Sequence, residues 1–160
     1  MNKINNKWKL VIAIAIPLIV GIISGFITKD ATKSFESINK PALSPPSIVF
    51  PIVWTILYIL MGISSYIIYI NNSLYDEENR KKYLIIYIIQ LIFNFFWSII
   101  FFNLKQYYFA LVWLLILWSL IIMLLYYSKK INKYAFYLLI PYIVWVTIAG
   151  YLNIMIAILN

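Results

Sequence analysis

Five long stretches without a charged residue lie in a chain of only 160 residues. They cover residues 10–28, 41–75, 83–104, 106–128 and 134–160. An α-helix needs about 20 apolar residues to cross a bilayer core that is about 30 Å thick. Each stretch is long enough for one crossing, and little chain is left outside them. We therefore expect the lipid bilayer to be the solvent for most of this chain.

The composition excludes several kinds of chemistry. Hydrophobic residues make up 64% of the chain and charged residues 11%, whereas a soluble domain carries about 25% charged residues. The chain has no cysteine and no histidine, so it lacks disulfides, thiolate metal sites, the commonest haem ligand and the usual general base. None of the five acidic residues lies in a segment that is expected to span the membrane. This argues against a proton relay inside the membrane. We expect no metal site.

The net charge of +8 suggests an anionic partner. The basic residues flank the apolar stretches and do not cluster in one domain. Anionic lipid headgroups explain this distribution better than nucleic acid does. We expect no nucleic-acid partner.

Backbone amides find no hydrogen-bond partners in lipid, so only helices and closed barrels can span it. The apolar stretches do not alternate with polar residues, which excludes a barrel. The first stretch has the basic start of a signal peptide, but no small-x-small cleavage pattern follows, so we expect a retained helix. The sequence predicts an all-α integral membrane protein, a single five-transmembrane-helix bundle over residues 1–160. The predicted helices cover about 8–28, 47–71, 81–103, 107–128 and 134–158.

The basic residues also predict an orientation, because Lys and Arg are enriched in cytoplasmic loops. The N-terminus and the second and fourth connections hold nine of the 13 basic residues, and the first and third connections hold four. We expect a protein of a bacterial plasma membrane with its N-terminus in the cytoplasm and its C-terminus outside.

The first connection, 29–46, is the longest, and long connections in compact domains are usually functional or disordered. Its second half contains Lys40, Pro41, Pro45 and Pro46. Each proline fixes its own φ and restricts the preceding residue, so this segment is stiff. It is more typical of a lid over the bundle than of a flexible tether.

Three predicted helices each carry a stripe of aromatic and polar residues at spacings of three and four, which places each stripe on one helical face. The stripes are Trp54, Tyr58, Met61 and Ser65; Gln90, Asn94, Trp97 and Phe101; and Tyr142, Trp145, Ala149 and Asn153. An amide that faces lipid would leave its donors and acceptors unmet, so these faces should turn inward. Two interpretations stay open: a small-molecule pocket, or aromatic packing with interhelical hydrogen bonds. Likewise, Gly21 and Gly25 in the first helix fit close packing either within the bundle or in a dimer.

Three ordered groups of residues resemble the translocator protein family, also known as tryptophan-rich sensory proteins or peripheral benzodiazepine receptors. In the first connection and second helix they are Lys40-Pro41, Pro45-Pro46, Phe50-Pro51, Trp54-Thr55, Leu57-Tyr58 and Gly62. In the third helix they are Gln90-Leu91, Asn94, Trp97-Ser98 and Phe101-Phe102, and in the fifth Pro141-Tyr142, Trp145, Ala149, Tyr151-Leu152-Asn153 and Leu159-Asn160. The chain departs from the family at Ser34-Phe35, where Trp-Tyr is usual, and at Leu43, where Trp is frequent.

The resemblance implies a five-helix bundle, often a homodimer, with a ligand pocket under the first connection. It implies a membrane receptor or sensor for porphyrins such as protoporphyrin IX and for related planar apolar molecules, with no covalently bound cofactor. By position, the ligand-binding residues would be Trp54, Tyr58, Asn94, Trp97, Ser98, Trp145 and Ala149. Lys33 and Lys40 are candidates for the porphyrin propionates, against the alternative that they are ordinary solvated lysines.

Other functions stay open at this point. Some bacterial members of the family are similar to enzymes that degrade protoporphyrin in light and oxygen, and Trp54 and Trp145 would then be the redox-active, catalytic indoles. A tetrapyrrole transporter and a scaffold without ligand are further alternatives. Because the chain lacks histidine and cysteine, a free-base porphyrin is a better candidate than haem.

Overall fold

The computed structural model describes residues 3–34, 38–41, 44–71 and 76–160, and within these ranges it contains five long helices and no β-strand. They are α1 (Lys3–Ser34), α2 (Val49–Tyr69), α3 (Glu77–Ser98), α4 (Tyr107–Ile131) and α5 (Lys133–Leu159), and a short π-helix, Ile99–Asn103, continues α3. All five helices are long and apolar enough to cross a membrane. The predicted fold class, an all-α integral membrane bundle, is confirmed. The orientation of the termini stays a prediction.

Two helices, α1 and α3, extend furthest beyond the uncharged stretches. The first runs over Lys3–Ser34 where the sequence predicts 8–28, and the third begins at Glu77, four residues before the predicted start at 81. Charged residues do not end a helix that has left the hydrocarbon core. In α3 the charges support the helix, because Glu77 and Glu78 pair with Lys81 and Lys82 at 2.7 and 2.6 Å, one turn on. Because α1 continues to Ser34, the first connection is shorter than predicted.

A single residue, Asn132, separates α4 from α5. It has extended backbone angles (φ −154°, ψ 119°), and its Oδ1 accepts hydrogen bonds from the backbone N–H groups of Tyr134 and Ala135 at 2.9 and 3.3 Å. An asparagine in this position satisfies amides that the first helical turn leaves without partners. The two helices consequently run antiparallel and pack along their length.

The five helices form a closed ring in the order α1, α2, α5, α4, α3. The contact that closes the ring, between α1 and α3, is smaller than the other neighbouring contacts and is shared with the π-helix. In this contact Asn103 Nδ2 donates a hydrogen bond of 3.2 Å to the carbonyl oxygen of Ile27. The ring is thus packed least extensively where α1 meets α3.

Helices α1 and α2 pack backbone against backbone at Gly62. A Cβ atom there would lie 2.5 Å from Ile14 Cα and 2.7 Å from the carbonyl oxygen of Ala13. Further along α1, a Cβ on Gly21 would lie 2.2 Å from Tyr58 Cε2, whereas a Cβ on Gly25 would meet nothing within 4 Å. Gly21 therefore serves packing inside the bundle, and the homodimer stays a prediction.

Candidate ligand cavity

A chain of hydrogen bonds joins α2, α3 and α5 at the centre of the bundle. The Tyr58 hydroxyl donates to Asn94 Oδ1 at 2.8 Å, and Asn94 Nδ2 donates to the Tyr142 hydroxyl at 3.1 Å. The Tyr142 hydroxyl in turn donates to Gln90 Oε1 at 2.8 Å. All four side chains are buried. The inward orientation expected for the amides of α3 is therefore present, and most of their polar atoms bond to phenols of neighbouring helices.

A second connection between α3 and α5 lies closer to the π-helix. Trp97 Nε1 donates to Asn153 Oδ1 at 3.3 Å, and Asn153 Nδ2 donates to the carbonyl oxygen of Tyr107 at 2.7 Å. This asparagine is fully buried and thus links three segments of the bundle. Its bonds hold the Trp97 indole in a defined orientation.

Aromatic rings surround Trp54. Its ring stacks on Tyr58 at a centroid distance of 5.5 Å, and the centroids of Trp97 and Tyr142 lie 6.5 and 6.3 Å away. Trp97 also stacks on Phe101 at 5.3 Å. Rings at these separations are in or near contact. The space between the stripes of α2, α3 and α5 is therefore largely occupied by their own side chains.

A cavity of about 500 Å³ lies on the other side of Trp54, between α1, α2 and the end of α3. This volume falls in the range of about 300–1,000 Å³ that small-molecule sites occupy. The residues that line it are Leu18, Gly21, Ile22, Ser24, Gly25, Thr28 and Lys29 of α1; Ser47, Phe50, Pro51, Trp54, Thr55 and Tyr58 in and just before α2; and Trp97, Ser98 and Phe102 of α3 and the π-helix.

The walls of the cavity are mostly aromatic and aliphatic, with hydroxyl groups between them and one cation. The aromatic residues are Phe50, Trp54, Tyr58, Trp97 and Phe102. The cation is Lys29, in the exposed part of the wall, with its Nζ 4.5 Å from the centroid of the Phe26 ring. An apolar cavity with a few polar groups and one positive charge suits a flat apolar molecule that carries an acidic group.

Four of the seven predicted ligand-binding residues line this cavity: Trp54, Tyr58, Trp97 and Ser98. Asn94, Trp145 and Ala149 are not part of its wall. Asn94 lies behind Tyr58, which donates to it, and Ala149 is buried. Trp145 contacts the cavity residue Phe50 edge to face at 5.7 Å, and its Nε1 is buried without a hydrogen-bond partner among the described residues.

The cavity thus differs in place from the hollow that the sequence suggests. The expectation put it between the second, third and fifth helices, and the structure has it between the first, second and third. The stripes do converge, but phenol–amide hydrogen bonds and ring contacts fill the space where they meet. A stripe pattern identifies the inward face of a helix, and it does not show which side of an inward-facing ring is left open.

The residues expected in the lid do not line the cavity either. In the described part of the first connection, Pro41 is buried, Lys40 and Pro45 are half-buried and Pro46 is exposed. This segment is joined to the end of α5, because Asn39 N donates to Asn160 Oδ1 at 3.2 Å and Asn160 Nδ2 donates to the Asn39 carbonyl oxygen at 3.0 Å. The departures noted at Phe35 and Leu43, and the side chain of Lys33, lie outside the described residues.

Sequence reasoning missed the contribution of α1. Gly21, Gly25 and Thr28 follow one another at spacings of four and three, so they share a helical face. Small and polar residues on one face of an otherwise isoleucine-rich span were the available signal, but close packing explains the same pattern. Lys29, the charged residue that ends the first uncharged stretch, carries no signal of its own for a site.

The described residues offer no obvious metal site. Those residues include no group of three or more Asp, Glu, His or Cys side chains that could hold a metal ion.

The comparison with known proteins is consistent with the geometry and with the resemblance seen in the sequence. The profile of the TspO/MBR family matches residues 13–159, which is nearly the whole chain. The chain belongs to the TspO/MBR family.

Three relatives show how broadly the similarity extends. The "Tryptophan-rich protein TspO" of Chlorobaculum tepidum is 34% identical over 158 residues, covering 97% of this chain and 99% of that protein. The "Tryptophan-rich sensory protein" of Cereibacter sphaeroides is 31% identical over 119 residues, covering 74% and 72%. The "Translocator protein" of Bos taurus is 30% identical over 136 residues, covering 82% and 80%. The family is thus established over the whole bundle.

Proposed function

We propose that this TspO/MBR protein is a membrane receptor that binds a free-base porphyrin, or a related planar apolar molecule with carboxylates, in the cavity between α1, α2 and α3. One observation carries the proposal: the cavity of about 500 Å³ has five aromatic residues in its wall and a lysine in its exposed part. Aromatic rings gain from stacking on a flat π-system in addition to the burial of apolar area. Protoporphyrin IX, which is flat and apolar with two propionates, has the matching chemistry.

Trp54 and Trp97 offer the porphyrin two indole rings. Both line the cavity, and their planes are inclined at 39° with centroids 6.5 Å apart. Trp97 is oriented by its bond to Asn153, so at least one of the two rings has little freedom to reorient. A preorganised aromatic wall reduces the ordering that a ligand must impose when it binds.

Lys29 supports the choice of an acidic ligand. Lys29 belongs to the same cavity wall as the indoles, one helical turn beyond Gly25. A porphyrin whose ring lies against Trp54 would place its propionates near the end of the cavity that Lys29 occupies. Lys29 is thus a further candidate beside Lys33, whose side chain lies outside the described residues, and Lys40, which does not line the cavity.

A sensor must also transmit the presence of its ligand. The Tyr58 ring lines the cavity, and its hydroxyl begins the hydrogen-bond chain through Asn94 and Tyr142 to Gln90. Displacement of the Tyr58 ring by a ligand would therefore alter contacts among α2, α3 and α5. This connection favours a receptor over a scaffold without a ligand.

The proposal is tested by titrating protoporphyrin IX into the protein in lipid nanodiscs while tryptophan fluorescence is recorded. We expect saturable quenching, with a smaller quenched amplitude in Trp54→Phe. Trp118→Phe is the matched control, because Trp118 bonds to Thr147 on the outer surface of α4 and α5 and does not line the cavity. Quenching that fails to saturate at micromolar porphyrin would remove the proposal.

A second candidate function is the degradation of porphyrin in light and oxygen, and the position of Trp54 favours it. An indole in the cavity wall is placed to give an electron to a light-excited ligand and to recover one from the pigment as molecular oxygen oxidises it, so that the net reaction is oxidation of the porphyrin by oxygen. The two tryptophans suggested by the resemblance differ here, since Trp54 lines the cavity and Trp145 is separated from it by Phe50. The protein would bind and orient the pigment and restrict side reactions.

Illumination of the porphyrin complex in air separates this candidate from the receptor. A defined new pigment in the wild type, with a lower yield in Trp54→Phe than in Trp145→Phe, would support the enzyme. Binding without conversion would leave the receptor alone.

A further inference from the structure

The space between α1 and α2 is wider at Gly25 than at Gly62 or Gly21. At Gly62 the helices touch backbone to backbone, since a Cβ there would lie 2.5 Å from Ile14 Cα. At Gly21 only the Tyr58 ring separates them, with its Cε2 2.2 Å from the position of a Cβ. At Gly25, one helical turn beyond Gly21, a Cβ would meet no atom within 4 Å. The two helices therefore diverge towards the end of the bundle where they are connected.

The cavity reaches the surface of the protein through this divergence. Ile22 and Gly25 of α1 and Pro51 and Thr55 of α2 all line the cavity, and all four are exposed, Ile22 to 68%. Trp54 and Tyr58 lie deeper in the same cavity and are half-buried and buried. The opening thus leads from the outer surface of the bundle directly to the aromatic wall.

Apolar side chains surround the opening on its outer side. Those most exposed next to it are Ile19, Ile23 and Phe26 on α1 and Ile48, Ile52 and Ile56 on α2. Both helices are long and apolar enough to span a bilayer. Gly25 lies inside the uncharged segment 10–28, about 6 Å along the helix axis from Lys29. The opening consequently faces acyl chains close to the headgroup region.

The packing around α1 keeps this opening in place. Asn103 Nδ2 donates to the carbonyl oxygen of Ile27, which holds the end of α1 against the π-helix. At the other end, the contact between Gly62 and Ile14 fixes α1 against α2. The absence of a side chain at Gly25 then leaves a gap between two positioned helices.

We propose that the ligand enters the cavity from the lipid bilayer, through the opening between α1 and α2, and that Gly25 sets the width of this opening. The inference rests on the proposed function, because it takes the ligand to be a flat apolar molecule that partitions into membranes. A flat ring needs carbon contacts of about 3.5–4 Å on each face, and a side chain at position 25 would occupy that space.

The chain contains no cysteine, so a single cysteine can report on the opening without other changes. A spin label on Gly25→Cys is compared in liposomes with labels on Ile23→Cys, which faces outward, and Ala110→Cys, which is fully buried. We expect relaxation by lipid-soluble oxygen to be as strong at position 25 as at position 23, and much stronger than at position 110. A label at 25 as protected as at 110, or one relaxed mainly by a water-soluble nickel complex, would overturn the inference.

Binding kinetics give an independent test with Gly25→Phe and, as its control, Ile23→Phe. With porphyrin supplied in the vesicle membrane, stopped-flow quenching should show association and dissociation both slowed roughly tenfold in Gly25→Phe, and wild-type rates in Ile23→Phe. Equal rates in the two variants would refute the entry route while wild-type binding, and with it the proposed function, stands. If the wild type shows no saturable binding, both the proposed function and the entry route of this ligand are refuted. The oxygen accessibility of position 25 would then still show whether the opening faces lipid.

Discussion

The Tyr58 hydroxyl donates a hydrogen bond of 2.8 Å to Asn94 Oδ1, and this bond joins the wall of the cavity to the polar centre of the bundle. On one side Tyr58 borders the space that would hold a ligand. On the other side Asn94 continues to Tyr142 on α5. Binding and helix packing therefore share one side chain.

Removal of the Tyr58 hydroxyl should destabilise the protein, because the buried Asn94 Oδ1 would lose its donor. We expect Tyr58→Phe to lower the free energy of unfolding by about 1 kcal/mol, or the melting temperature by about 2–4 °C. Tyr137→Phe is the control, at an exposed tyrosine that makes no side-chain hydrogen bond among the described residues. Thermal unfolding in detergent measures both, and equal melting temperatures would show that the bond contributes nothing.

Two tryptophans provide a matched pair for the hydrogen bond on α3. Trp97 Nε1 donates to Asn153, whereas Trp145 Nε1 has no partner among the described residues. Both substitutions to phenylalanine remove similar volume, but only Trp97→Phe leaves a buried amide oxygen unmet. We expect Trp97→Phe to be less stable than Trp145→Phe by about 1 kcal/mol in ligand-free protein. Chemical unfolding measures both variants. A Trp97→Phe protein that is more stable than Trp145→Phe would contradict the hydrogen bond between Trp97 and Asn153.

The contact between α1 and α2 predicts a strong effect at one glycine. A Cβ on Gly62 would meet the backbone of Ile14, which cannot move without separating the helices. We expect Gly62→Ala to destabilise the bundle by about 1–3 kcal/mol. Gly150→Ala is the control, since a Cβ there would lie 3.6 Å from Leu114 Cδ2, an ordinary contact. Alanine raises the helix propensity equally in both variants, so the difference between their free energies of unfolding reports the steric effect. Equal stability of the two variants would exclude the close approach of α1 and α2 at Gly62.

These results show what the sequence could and could not predict. Uncharged stretches identify spans well, because a charge inside lipid is expensive. They fail at helix ends such as Lys3 and Ser34, since a helix continues through charges once it has left the hydrocarbon core. The π-helix at Ile99–Asn103 also has no simple sequence signal, because it depends on a local change in backbone hydrogen bonding that packing selects.

The same limit applies to the candidate site. The inward faces of Trp54, Asn94 and Tyr142 follow from their spacing and polarity, and the structure has them in one connected cluster. Which of them border empty space depends on how their rings pack, and that is a property of three helices at once. Gly25 is the clearest case, because a glycine signals equally well a close contact and an opening.

Lys29 should contribute to the binding of a carboxylate and not to the binding of a neutral ring. Because the lysine is exposed, we expect Lys29→Gln to lower the affinity for protoporphyrin IX by about fivefold at most, and to leave the affinity for its dimethyl ester unchanged. Lys130→Gln is the control, since Lys130 lies near Tyr126 at the other end of the bundle. An equal loss for acid and ester would assign Lys29 a structural role.

The most direct test of the account is to fill the cavity and measure the affinity for protoporphyrin IX. Ser98 lines the cavity, and Ser119 is exposed on α4 and does not, so Ser98→Phe and Ser119→Phe add the same ring inside and outside the proposed site. The account predicts saturable binding by the wild type and Ser119→Phe, and an affinity at least about tenfold lower in Ser98→Phe. Equal affinities in the two variants, or no saturable binding by the wild type, would contradict it.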